Sequence, residues 1–153
     1  MVQCLSRQTH LPDEVIVVID GSTDHTKEVV RALAPPQFRI RIIEQENRGR
    51  AHVRNTGGHA ASGDLLIFFD DDMLPEPTCV AEHVAHHRTN PGSIVTGPQV
   101  NVIPEGGSDI MNYKIYLSHK WSAELVVQEA RPLPLASPFI TAANFSISRQ
   151  LFM

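Results

Sequence analysis

The run Leu65-Leu66-Ile67-Phe68-Phe69 stops on Asp70-Asp71-Asp72, and Pro75 follows shortly after. Apolar residues bounded by Gly63 and Pro75 predict a strand buried on both faces, the pattern of a parallel sheet. Such a strand must carry its end out of a core. Adjacent carboxylates at that end repel one another, and a shared cation relieves the repulsion. In an extended backbone alternate side chains point the same way, so Asp70 and Asp72 would face one side and Asp71 the other. Hard oxygen ligands favour Mg2+ or Mn2+, and an ion held by one or two carboxylates keeps positions open for phosphate oxygens. The plainer reading makes the acids turn and N-cap residues ahead of a helix beginning near Pro77.

A chain of 153 residues with 42% apolar content can bury one core, so a single domain over residues 1–153 is expected. The net charge of -4 argues against a nucleic-acid partner, which would need a basic face. Cys4 and Cys79 have no ligand-like spacing and suggest reduced, structural thiols in a cytoplasmic setting. No apolar run approaches the ~20 residues that cross a bilayer, so no membrane segment is expected here, and any tether belongs to a longer parent. Both ends look cut, the first near Val2 and Leu5 in a helical pattern, the second over Ser148 to Met153, where a helix is beginning.

Val15-Ile16-Val17-Val18-Ile19 is a second β-branched strand, tipped by Asp20-Gly21-Ser22-Thr23-Asp24, whose small polar residues can cap a helix from about Asp24 to Ala34 that Pro35-Pro36 ends. Ile40 to Glu44 is a shorter strand, and Asn47-Arg48-Gly49 breaks it before a helix from about Arg50 to Ala61. Gly57 and Gly58 each cost that helix about 1 kcal/mol relative to Ala, so they require a packing reason. Arg50 and Arg54 lie one turn apart on a common face. A helix from Pro77 to about Arg88, strands over Ser93 to Gly97 and Gln99 to Ile103, and an amphipathic helix from Asp109 to Trp121 follow. Residues 122–138, with Pro132, Pro134 and Pro138, predict a long loop of the kind that covers a site. Strands alternating with helices specify an α/β sandwich with a mainly parallel sheet, and ligands of such sheets bind beyond the strands' carboxyl ends. Asp20 and Asp70 to Asp72 lie at two such ends and can share one cleft.

These residues resemble nucleotide-sugar glycosyltransferases of glycosyltransferase family 2, with the Rossmann-like GT-A fold. Asp13 to Thr26 looks like the first nucleotide-binding strand and turn, Asn47-Arg48-Gly49 with Ala51 and Arg54-Asn55-Thr56-Gly57 like the central helix, and Asp70-Asp71-Asp72 like the DxD metal motif. Together they cover roughly residues 1–90, and Ala143 to Ser146 with Arg149 weakly resembles the acceptor-side segment. The resemblance implies that Asp20 contacts the nucleotide base, Ile19 standing where many members carry an additional acid, and that Ser22 belongs to the same nucleotide-binding tip. It implies that Arg54 approaches the diphosphate, that Asp71 meets the ribose or sugar, and that Asp72 with Asp70 holds Mn2+ or Mg2+. The expected reaction is inverting transfer from a UDP- or GDP-sugar to a glycan, lipid or protein hydroxyl. The resemblance also puts the general base beyond Met153 and an opening strand before Met1, so the fold is expected to be truncated at both ends. If the base lies inside the chain, Glu105, Asp109 and Glu124 are the acids to test.

Competing readings attach to the same residues. Phe69 to Leu74 satisfies the loose pattern of haloacid-dehalogenase-like phosphatases, with Asp70 as nucleophile. A dinucleotide-binding module would need a GxGxxG that neither strand provides. A non-catalytic fragment that keeps the nucleotide cleft is the remaining rival. His83 and His87, spaced i, i+4 with His86 beside them, suggest a metal pair, but a solvated helix face is the expectation. Tyr113, Tyr116 and Trp121 are expected in the core, with an acceptor-binding wall as the alternative.

Overall fold

The structure, a computed structural model, describes residues 1–33, 37–102, 107–123, 132 and 142–153. After a short helix α1 (Val2–Leu5), strand β1 (Glu14–Asp20), helix α2 (Thr26–Ala32) and strand β2 (Arg39–Gln45) form a βαβ unit in which β1 and β2 pair in parallel, Val15 opposite Ile40 and Asp20 opposite Gln45. α2 begins two residues later than expected, at Thr26 with His25 as its N-cap, and Asp24 just ahead of it accepts with one carboxylate oxygen from both the Thr26 amide and the Thr26 hydroxyl. Helix α3 (Arg50–Ala60) leads into β3 (Leu65–Phe69), then α4 (Cys79–Thr89), β4 (Ile94–Thr96), α5 (Asp109–Ser122), β5 (Asn144–Ser148) and α6 (Arg149–Phe152).

β5 was not anticipated from the sequence, and it changes the sheet. It lies between β3 and β4 and runs antiparallel to both, Phe68 opposite Phe145 and Val95 opposite Ser146. The mainly parallel sheet expected from the sequence is therefore found only in β1 and β2. Direction in β3 and β5 is not tied by a short crossover helix, since some seventy residues separate Phe69 from Asn144 and the chain can return either way.

Among the described residues β1 pairs only with β2 and β3 only with β5. This explains why neither apolar strand is buried on both faces as expected: Val15 and Ile19 are buried in β1 and only Leu66 in β3. The two sheets nevertheless share a core. Leu5, Val15, Phe38 and Val80 form its centre, with Val17 of β1 and Ile67 and Phe69 of β3 packed around them. On the opposite face Phe68 stacks on Phe145 at 5.0 Å between centroids and meets Phe152 at 5.7 Å.

That second face accounts for the α3 glycines. A Cβ on Gly57 would touch Val18 of β1 at 3.4 Å, and one on Gly58 would collide with the Phe152 ring. The helix gives up propensity to let β1 and α6 approach.

The remaining expectations divide. No strand forms over residues 99–102; Val100 and Val102 are exposed, and Asn101 instead donates to the Ser118 hydroxyl of α5. Ile103, Pro35-Pro36, Glu105, Glu124, the Trp121 side chain and nearly all of the 122–138 loop lie outside the described residues. Tyr113 and Tyr116 are each 60% exposed, so they are not core. Recurrence of Ile110, Tyr113 and Leu117 at helical spacing correctly gives the helix, with Ile110 and Tyr113 exposed and Leu117 half-buried.

Candidate active site

β1 ends at Asp20, and Gly21 turns the chain with φ +75°, a conformation that costs a residue with a Cβ. Space forbids a Cβ as well: it would lie 2.9 Å from Asn47. The turn after β2 is thus folded directly against the tip of β1. Asp20 fastens it. Its Oδ1 accepts from Gln45 Nε2 at 2.7 Å and from the Arg48 amide at 3.0 Å, and its Oδ2 accepts from the Gly49 amide at 3.0 Å. The Gln45 bond, helped by the two amides, holds the Asp20 carboxyl below the usual carboxylate range. Ser22 is exposed just beyond this turn.

Gly49, itself at φ +85°, is the N-cap of α3. Arg50, the first residue of the helix, is exposed, whereas Arg54, one turn on, reaches the other strand tip, its Nη2 2.6 Å from Asp70 Oδ1. Asp70 is fixed from the backbone too, its amide donating to Ala143 O at 3.3 Å and its carbonyl accepting from the Met73 amide at 3.2 Å. That last bond closes a four-residue turn with Asp71 and Asp72 at its corners, both exposed. The acids therefore do not continue extended, and strand alternation is not what brings Asp70 and Asp72 together. Aspartates favour turn corners, and a turn lets neighbouring carboxylates splay into water.

Sequence reasoning thus places Asp20, Ser22, Arg54 and the three acids at strand tips, and α3 draws two of these tips together: its first amide-bearing turn is tied to Asp20 and its side chain to Asp70. It missed Gln45 and Thr56. The Thr56 hydroxyl donates to Gln45 Oε1 at 2.8 Å, so one glutamine bridges α3 and Asp20. A glutamine at the end of β2, two residues before the Asn47-Arg48-Gly49 break, was the available signal. Among the described residues no three His, Cys, Asp or Glu side chains are gathered to hold a metal ion.

The histidines of α4 are not a solvated face. His83 is 4% exposed, and His87 is half-buried. His83 Nε2 lies 2.9 Å from Asn144 Oδ1, an acceptor, so that nitrogen carries the proton; Nδ1 then accepts from the Ser146 hydroxyl at 2.7 Å. Ser146, wholly buried, has its oxygen left to accept from His87 Nε2 at 2.8 Å. Burial pushes both imidazoles below their ordinary value. Burial also pushes the nearby Cys79 thiol up to about 11, which makes it an inert packing residue; both cysteines are free.

The model of the family described as glycosyl transferase family 2 matches residues 1–152. Validoxylamine A glucosyltransferase of Streptomyces hygroscopicus subsp. limoneus is 33% identical over 95% of this chain and 33% of its own length. Glycosyltransferase GlyG of Streptococcus pneumoniae serotype 4 is 27% identical over 84% of this chain and 44% of its own. Glucosyl-dolichyl phosphate glucuronosyltransferase of Haloferax volcanii is 27% identical over 65% of this chain and 32% of its own. The chain spans less than half the length of each of these relatives. Neither the phosphatase nor the dinucleotide reading finds support in these matches, and on the family match over nearly its whole length the chain belongs to glycosyl transferase family 2.

Proposed function

We propose that the chain forms the donor half of an inverting glycosyltransferase that takes a sugar from a UDP- or GDP-sugar and passes it to a hydroxyl of a glycan, lipid or protein. The observation that carries this reading is the span of α3, which joins the Asp20 tip of β1 to the Asp70 tip of β3. In the reaction the acceptor oxygen attacks the anomeric carbon, its proton passes to a carboxylate base, and the bond to the nucleoside diphosphate breaks with its electrons leaving on phosphate. Arg54 is the cation that faces the diphosphate, with Asp70 orienting its guanidinium; a planar fork suits phosphate oxygens. Asp71, at a turn corner, meets the ribose or the sugar.

The hard carboxylate donors of Asp70 and Asp72 fit Mg2+ or Mn2+, provided the diphosphate and water complete the shell. Such an ion would neutralise charge developing on the leaving diphosphate. Calorimetric titration with UDP and GDP, in magnesium and in EDTA, tests the donor reading. Saturable binding in magnesium and its loss in EDTA are expected. Equal affinity in EDTA would remove the metal, and no binding of either nucleotide would remove the donor site. Acceptor-dependent release of UDP or GDP from their sugars then tests transfer itself.

A further inference from the structure

Gln8, between α1 and β1, is 6% exposed, and both ends of its side-chain amide reach the segment that follows the three aspartates. Nε2 donates to Glu76 O at 2.8 Å, with Cys4 O at 3.3 Å and Pro75 O at 3.5 Å beside it, and Oε1 accepts from the Val80 amide at 3.0 Å. Thr9 extends the contact, its amide and hydroxyl donating to Pro77 O at 2.8 and 3.2 Å. Pro75 and Pro77 have no amide hydrogen to give, so residues 8 and 9 grip this segment by its carbonyls. At the near end of the acidic turn the sheet holds Asp70 through Ala143 O. Only Asp71, Asp72, Met73 and Leu74 lie between the two anchors.

The two ends of the Gln8 amide do different things. The oxygen serves α4: Val80 lies in its first turn, where amides lack helical partners, and the N-cap Thr78 makes no side-chain cap bond. The nitrogen serves the acidic turn. Glu76 O also accepts from the Cys79 amide at 2.9 Å, so that carbonyl is not orphaned without Gln8; what goes is the tie to the 6–9 turn. We infer that Gln8 is a positioning residue for the end of the donor site that meets metal and diphosphate: through Nε2 it fixes where the acidic turn re-enters the fold and so bounds the reach of Asp71 and Asp72. A loop held at both ends has less freedom to lose when a ligand orders it. The inference rests on the proposed donor site for its ligand and on the tether alone for its mechanism.

The test sets Gln8→Met and Gln8→Lys beside the unaltered chain. Methionine keeps the length and gives up both bonds; lysine gives up the Val80 bond but brings N–H donors back to the carbonyls of Pro75 and Glu76. In Gln8→Met the Met73 amide, bonded inside the turn to Asp70 O, should exchange faster while the amides of the β3–β5 ladder keep their protection. UDP affinity in magnesium should fall roughly threefold to tenfold, the effect of one lost hydrogen bond. Gln8→Lys should restore both, leaving only the Val80 amide fast. Equal losses in the two variants would make Gln8 a helix cap and overturn the inference, as would a uniform rise in exchange across the ladder, or a fast Met73 amide with UDP affinity unchanged. If the unaltered chain binds no UDP, the donor site fails and exchange alone decides the tether. Should one variant not fold, the other decides: in Gln8→Lys a protected Met73 with a fast Val80 supports the tether and a fast Met73 overturns it, and in Gln8→Met the contrast between Met73 and the ladder does the same.

Discussion

Arg54 and Asp70 form an ion pair at 2.6 Å between α3 and the end of β3, with side chains 28% and 41% exposed. Exposed pairs of this kind contribute at most about 1 kcal/mol to folding, because water screens them in both states. Asp70→Asn should therefore shift the urea unfolding free energy by less than about 1 kcal/mol. UDP affinity in magnesium should fall by about tenfold or more, since both the cation ligand and the orienter of the guanidinium are altered. A large loss of stability with affinity intact would make the pair a structural one.

Asp72→Asn is expected to leave circular dichroism and unfolding unchanged, because the side chain is exposed at a turn corner. In the full-length parent, sugar transfer should drop by about 10²–10³, the usual effect of removing one electrostatic contact to the transition state. Transfer at the unaltered rate would move the metal role to Asp71.

Gly58→Ala tests the packing of α3 against α6. Helix propensity alone predicts a gain of about 1 kcal/mol. The collision with Phe152 predicts an overpacking cost of about 1–3 kcal/mol. We expect net destabilisation in urea, and a reversal to net stabilisation when Phe152→Ala removes the obstructing ring. Stabilisation by Gly58→Ala alone would show that α6 yields freely.

Stability should fall in mild acid through His83 and His87. Both have their folded-state affinity for protons lowered from the ordinary value of 6.5, chiefly by burial, so the unfolded chain binds protons first. Their contribution is complete above pH 6.5 and is lost as pH falls below it. Glu82 and His86 of α4 are the charged neighbours, acting in opposite senses on His83, while β5 presents only the neutral Ser146 and Asn144. His83→Gln can keep both bonds without titrating. Melting followed from about pH 7.5 to 5 should decline less steeply in the variant; parallel curves would place the acid sensitivity elsewhere.

What was legible in the sequence follows from what is local. Strand β3, helix α3 and the Ser148 and Asp109 helix starts depend on short-range pattern and capping, and they form where pattern places them. β5 was overlooked although Asn144-Phe145-Ser146-Ile147-Ser148 alternates polar and apolar residues as a short strand does; its polar members Asn144 and Ser146 are themselves buried, bonded to His83 and His87 of α4. The same partnership misled the reading of the α4 histidines. Within the site, residue types marked the strand tips, but the Asp20 to Gln45 to Thr56 chain depends on β1 and β2 lying in register, Asp20 opposite Gln45. No spacing along the chain encodes that.

β5 fastens β3 beyond the ladder at both ends. Arg149 donates its amide to Asp64 O at 2.7 Å at one end, and Asp70 donates to Ala143 O at the other. The last backbone bond of this seam belongs to Asp70, and Asp71 and Asp72 project from the corner that follows. Stiffness therefore ends between two neighbouring carboxylates: the first has its place dictated by the sheet, while the next two can follow whatever shape of sugar and phosphate arrives.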